Sequence, residues 1–354
     1  MGLLEETLAA ITPPDETAAA EAGRRLDSLT KPRGSLGYLE EIVRRYAAIR
    51  RDPEARMGGG ALCVFVADHG VADEGVSAYP QAVTAEMLRN IAGGGAAVSV
   101  LARRLGYRLW IADVGVATDT SADALPGVLY RRIGAGTRNL AREAAMSLSE
   151  VRAALEVGVE VGRGAAASGA TLIGIGEMGI ANSTSAAALL AAFTRVRPAR
   201  LAGRGAGVDD AGMRRKVAVI EHALKLQRAV LRDPLAMLAA LGGFEIAAMA
   251  GACLGGAALN VPVVVDGFIA TAAAVAAERL CPGLFAHLFF GHRSSEGGHA
   301  LALEQLDVRP IVDLGMCLGE GTGAALAMSL IEAALALFHE MATFESAGVS
   351  GKIG

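Results

Sequence analysis

Short apolar runs recur along the chain, each closed by a polar turn that carries glycine. They read ALCVFVA before DHG (61–70), LWIADV before GV (109–116) and TLIGIG before EMG (171–179). Three more follow: VPVVVD before GF (261–268), LFAHLFF before GHRSSEGGH (284–299) and RPIVDL before GMCLGEGTG (309–323). Most precede an Ala-rich segment at helical spacing. A strand with helices on both sides must be apolar on both faces, so the pattern predicts an α/β fold. The sheet is expected to be parallel and Rossmann-like, with helices on both faces. Residues 15–30 and 35–50 carry apolar positions at helical spacing, with KPRGS (31–35) between them as a loop and N-cap. Residues 51–60 form a Pro/Gly linker. A further helix is expected to begin near Pro80, with proline in its first turn. On that helix Tyr79, Val83 and Met87 would share a face.

Composition sharpens this picture. With 354 residues, 53% of them hydrophobic, the chain can bury a large core. Its 45 glycines and scarce aromatics (4%) suit close helix packing and argue against disorder. The stretch 246–265 has the length of a membrane span and GxxxG-like spacing. Asn260 and Pro262 interrupt it, however, and VPVVVD is a β-branched run, so a buried helix followed by a buried strand is expected. The net charge of −4 comes with scattered Lys and Arg, which gives no nucleic-acid stripe and no polybasic membrane patch. The N-terminus has no secretory pattern, and Cys63, Cys253, Cys281 and Cys317 lack metal or disulfide spacing. Both features point to reduced thiols in the cytoplasm.

In parallel sheets ligands sit beyond the carboxyl ends of the strands. Here those ends carry Asp68, His69, Asp113, Glu177, Asp266, His292, Arg293, Ser294, Ser295, Glu296, Asp313 and Glu320, which points to a ligand-binding enzyme. GIGEMG (174–179) follows a strand and opens a helix, so its amides could hold a phosphate. A dinucleotide site would need a second strand and an acid about 20 residues on. No acid occurs between Glu177 and Asp209. GRGAGVDDAG (203–212) is a second polar loop, followed by Arg214, Arg215 and Lys216. Asp68, His69, Asp266 and the two histidines of GHRSSEGGH lack metal-ligand spacing, so no metal is expected. Glu320, set among glycines before an apolar helix, is either an awkward structural charge or a base aimed at a ligand. Burial would raise its pKa, and the dipole of the following helix would lower it.

Nine segments together resemble the nicotinate-nucleotide–dimethylbenzimidazole phosphoribosyltransferase family. These are KPRGSLGYLE (31–40), ADHGVADEGVSAYPQAVT (67–84), GIGEMGIANSTSA (174–186), GRGAGVDDAGMRRK (203–216) and GGFEIAAMAGA (242–252). The others are VDGFIATAAA (265–274), GHRSSEGGHALALE (291–304), DLGMCLGEGTGAALA (313–327) and EMATFESAGV (340–349). They cover nearly the whole chain in order. The resemblance implies transfer of 5-phosphoribose from nicotinate mononucleotide to 5,6-dimethylbenzimidazole, in assembly of the cobamide nucleotide loop. It implies Glu320 as general base and a single inverting displacement with neither cofactor nor metal. Gly176, Glu177, Lys216, Gly267, Ser294 and Ser295 would surround the nucleotide, with Lys216 on its phosphate. Tyr79, Met87 and Leu318 would border the acceptor base. It further implies a homodimer, an α/β catalytic domain over 58–339, and a small helical domain from residues 1–57 and the tail 340–354. The competing readings are an NAD(P)-dependent oxidoreductase using GIGEMG and a non-catalytic nucleotide-binding relative.

Overall fold

The computed structural model describes residues 2–205 and 207–350. Residues 1, 206 and 351–354 belong to the expected N-terminal segment, the loop 203–212 and the C-terminal tail; they lie outside the described residues. Seven strands form one sheet: β1 (Gly60–Ala67), β2 (Arg108–Gly115), β3 (Val128–Tyr130), β4 (Leu172–Met178), β5 (Val263–Val265), β6 (Leu288–His292) and β7 (Pro310–Val312). Every pairing is parallel, in the order β3-β2-β1-β4-β5-β6-β7. This is the expected α/β architecture.

The helices are α1 (Leu3–Ala10), α2 (Glu16–Ser28), α3 (Tyr38–Arg50), α4 (Val83–Ala92), α5 (Ala97–Leu105), α6 (Leu148–Ala167) and α7 (Asn182–Thr194). They continue with α8 (Pro198–Leu201), α9 (Asp210–Leu226), α10 (Pro234–Leu241), α11 (Phe244–Ala258), α12 (Phe268–Leu280), α13 (His299–Gln305) and α14 (Thr322–Glu340). Strand β1 shows why its residues are apolar throughout. Cys63 and Phe65 point into a core shared with α6, α7, α11 and α12, while Leu62, Val64 and Val66 point into one shared with α3, α4, α5 and α14. The period-2 alternation of a strand feeds both layers.

The stretch 246–265 is the expected buried helix and strand, α11 then β5. Two of its glycines, Gly251 and Gly255, are explained by a neighbouring helix. A Cβ on Gly251 would overlap Leu155 O, and one on Gly158 would overlap Ala248 O. Helices α6 and α11 therefore touch backbone to backbone. The apolar helix α14 has the length and composition to cross a membrane. It instead packs against β4, β5, β6, α3 and α5.

Several boundaries differ from expectation. The helix expected near Pro80 starts at Val83, and Gly93–Gly95 divides it into α4 and α5. Tyr79 therefore lies in the loop before α4. Helix α3 starts at Tyr38 after Gly37, not after Ser35. The run 284–290 is half a 3-10 turn (Leu284–His287) before β6 begins. Strand β3 has no counterpart in the apolar pattern.

Candidate active site

The loops that leave β1, β4, β5, β6 and β7 converge on one cavity of about 540 Å³. It lies where the strand order reverses between β1 and β4 and extends towards β7, the crevice such sheets use for ligands. Of the expected site residues, Tyr79, Met87, Glu177, Gly267, Ser294, Leu318 and Glu320 line it. The wall divides by chemistry. Val76, Tyr79, Val83, Met87, Met178 and Leu318 are apolar and suit a flat ring. Ser183, Gly205, Ser294 and Glu296 form a polar part.

Lys216 stands behind that polar part rather than in the wall. Its ammonium donates to Ser183 Oγ (2.8 Å) and Gly203 O (2.9 Å). Burial pushes its pKa down to about 8, and nearby Glu296 opposes the shift. The Glu296 carboxylate also accepts from Gly205 N (2.9 Å). Ser295 lies outside the wall, donating from its hydroxyl to Gly315 O (3.1 Å) and from its amide to Met316 O (2.9 Å). It pins the loop that carries Leu318. Gly176 is also outside the wall, and a Cβ there would overlap Gly321 N. Its role is to let β4 approach the Glu320 turn. Asp209 caps α9, accepting from Gly212 N (2.7 Å), and Asp210 pairs with Arg204.

Three consecutive residues, Gly319, Glu320 and Gly321, have left-handed backbones (φ 86°, 64° and 92°). Glycine adopts this freely; for glutamate it costs roughly 1 kcal/mol or more. The turn is held by Glu320 N donating to Glu177 O (3.2 Å), Gly321 N to Asp266 Oδ2 (3.3 Å) and Ala324 N to Asp266 Oδ1 (2.8 Å). It aims a buried Glu320 carboxyl into the cavity, where Oε2 accepts from Val98 N at the start of α5 (3.3 Å). Burial raises the Glu320 pKa, and the Val98 amide opposes it. Desolvation thus wins, and the opposing helix terminus is that of α5 rather than α14.

Glu177 is raised further, to about 8, by burial first and then by Glu245 and Asp266. Asn182 Nδ2 donates to it. Asp266 is raised by burial as well, opposed by His292 and by the amides of α14's first turn. Asp266 and His292 line the cavity; the sequence placed them among the polar strand ends and compared them with metal ligands, without assigning either to the site. Both stand at carboxyl ends of strands, which was the available signal. Asp68 and His69 sit behind the cavity. Asp68 accepts from Ala117 N (2.8 Å), and His69 bridges Glu245 (2.6 Å) and Ser185 (3.0 Å). Among the described residues, no group of three or more His, Cys, Asp or Glu could hold a metal ion.

A family model described as phosphoribosyltransferase matches residues 11–349. A nicotinate-nucleotide–dimethylbenzimidazole phosphoribosyltransferase from Chloroflexus aurantiacus is 49% identical over 353 residues, 100% of each chain. One from Geobacter sp. strain M21 is 47% identical over 350 residues, covering 99% of this chain and 100% of the relative. The crystal structure of CobT from Thermus thermophilus matches with a TM-score of 0.90 and 46% identity, covering 94% of this chain and 99% of that one. With matches of this extent and identity, the chain is an enzyme and belongs to the nicotinate-nucleotide–dimethylbenzimidazole phosphoribosyltransferase family.

Proposed function

We propose that this phosphoribosyltransferase of cobalamin biosynthesis moves 5-phosphoribose from nicotinate mononucleotide to 5,6-dimethylbenzimidazole. The products are nicotinate and α-ribazole 5′-phosphate. The observation that carries the reading is a buried carboxyl, Glu320, held in a strained turn inside a cavity with an apolar wall on one side and a polar part on the other. Tyr79, Met87 and Leu318 border the acceptor ring. Ser294, Gly267 and Glu177 face the nucleotide, with Lys216 supplying positive charge through the wall beside Ser183 and Gly205.

In the step, one ring nitrogen of the benzimidazole attacks the anomeric carbon from the face opposite the pyridinium. The C–N bond to nicotinate breaks and its electron pair returns to the pyridine nitrogen, so the leaving group departs as an uncharged ring. Glu320 takes the proton from the acceptor's other nitrogen, which prevents positive charge from remaining on the product ring. A raised pKa fits that task better than an ordinary carboxylate does. One in-line displacement inverts the anomeric centre and needs no covalent nucleophile.

We further read residues 1–57 and the tail 340–354 as a small helical domain beside the body at 58–339. Its support is the backbone pairing of the chain ends: Thr30 N donates to Ala342 O (2.9 Å) and Phe344 N to Ser28 O (3.0 Å). The four cysteines are unpaired, and only Cys317 is exposed, which suits a reducing cytoplasm. The packing of α14 in the core supports a chain that does not span a membrane.

The test is to incubate the protein with nicotinate mononucleotide and a benzimidazole and follow both products by mass. Glu320→Gln should keep the fold and nucleotide binding while turnover falls by about 10²–10⁴-fold, the usual contribution of a positioned base. Normal turnover by that variant would remove Glu320 from the chemistry.

A further inference from the structure

Asp266 follows β5 directly and is almost wholly buried, yet it neither caps its own helix nor pairs with a lysine or arginine among the described residues. Its two oxygens reach across to another element and accept from Gly321 N (3.3 Å) and Ala324 N (2.8 Å). Those amides flank the first turn of α14, immediately after Glu320. The group facing Asp266 from β6 is His292, whose Nε2 lies 3.9 Å from Oδ1. The His292 ring fits between two residues without side chains. A Cβ on Gly267 would stand 2.9 Å from Nε2, and one on Gly323 would overlap the ring itself. Its Nδ1 has no partner among the described residues. A buried carboxylate and a buried imidazole 3.9 Å apart, with no Lys or Arg partner for the carboxylate among the described residues, are expensive to maintain. Their common product is the position of one turn.

We infer that Asp266, with His292 as its counter-group, is a positioning residue for the reaction: it clamps the left-handed Gly319–Glu320–Gly321 turn onto the N-terminus of α14 and so sets where the Glu320 carboxyl points. This rests on Glu320 acting as the base. The left-handed backbone at Glu320 is not a conformation a glutamate adopts unaided, so the turn needs an external hold. Asp266 supplies it from the α14 side, and the Glu177 carbonyl supplies it from the β4 side.

The experiment combines single and double variants, with nicotinate mononucleotide binding measured by calorimetry and turnover measured at saturating substrates. Asp266→Asn keeps an oxygen for one amide but loses the charge and the second acceptor. It should lower kcat by about 10²-fold, the cost of misplacing a catalytic group by about 1 Å, while the nucleotide's Kd stays within about threefold. In a Glu320→Gln background the same change should lower kcat little further, because residues that act as a unit are not additive. His292→Gln, which leaves Asp266 in place, should give the same kcat-selective loss. It keeps the test alive where Asp266→Asn fails to fold. Fully additive losses in the double variant, or weakened nucleotide binding at unchanged kcat, would overturn the positioning role. So would loss on Glu320→Gln with none on either Asp266→Asn or His292→Gln. Retained turnover by Glu320→Gln would overturn the base reading, and this inference with it.

Discussion

Glu177 and Glu320 are both acids set near glycines, and the structure separates them by environment. The Glu177 carboxyl, pushed up to about 8 by burial and by Glu245 and Asp266, holds its proton at neutral pH. An unfolded glutamate loses that proton near 4.5. The folded chain therefore binds more protons than the unfolded chain between those values. The stabilising contribution is full below the unfolded value and is lost as pH rises through about 8. Glu177→Gln removes the titration. Urea unfolding of both proteins should show the variant gaining on the wild type as pH rises from about 5 to about 8. A difference that stays constant with pH would show that Glu177 ionises freely. At this scale the sequence was informative where a residue's place follows from its local setting, as with Glu320, which does line the cavity. It was silent where the task depends on distant partners. Nothing local to Lys216 says that its ammonium ends on Ser183 and Gly203, and nothing local to Gly176 says that the Glu320 turn lies against it.

Elements were legible where apolar residues ran long enough to fix a period. Strands β1, β2 and β4, with α7, α11 and α14, stand close to where the pattern put them. Strand β3 escaped because three residues in LPGVLYRRIG show no run. The 284–290 run was overextended because apolarity alone does not separate a buried 3-10 turn from a strand. The GxxxG-like spacing in α11 is visible in the sequence, but its cause, the approach of α6, is tertiary. That cause gives a prediction in which two effects oppose each other. Replacing a mid-helix glycine by alanine favours the helix by about 1 kcal/mol. At Gly158 the new methyl group would meet the Ala248 carbonyl, a backbone atom that no rotamer change can move. Overpacking of this kind costs about 1–3 kcal/mol or more, so Gly158→Ala should destabilise. Gly164 lies on the same helix, where a Cβ would meet only the edge of the Trp110 ring at 3.3 Å. Gly164→Ala should be neutral or stabilising. The two urea midpoints should move in opposite directions or at least separate clearly; equal shifts would mean the helices are not in backbone contact.

At the scale of the molecule, α14 has two jobs. Its buried side (Ala324, Ala327, Met328, Ile331, Leu335, Phe338) closes the core beneath β4 and β6 and so anchors the Glu320 turn at its N-terminus. Its outer side carries Leu326, Leu330, Ala333 and Leu337 at helical spacing, half-buried or exposed, and Val100 on the adjoining α5 is exposed as well. The sequence alone says only that an almost wholly apolar helix must be buried somewhere; the structure shows one face still uncovered. An apolar stripe left open to water favours burial against a second copy, since a two-fold interface pairs the same patch with itself. The homodimer that the resemblance implies is therefore expected to form through α14. In that arrangement the helix that begins at the Glu320 turn is packed on both sides. Leu330→Glu would place a charge on the two-fold contact, where it would face its own copy. Sedimentation should show the wild type as a dimer and the variant as a monomer at the same concentration. The monomer should keep the cavity that its own loops line, but with lower turnover because α14 has lost its outer support. A variant that sediments as the wild type does would place the dimer contact elsewhere. A monomer with undiminished kcat would show that the core side of α14 alone is enough to hold Glu320 in place.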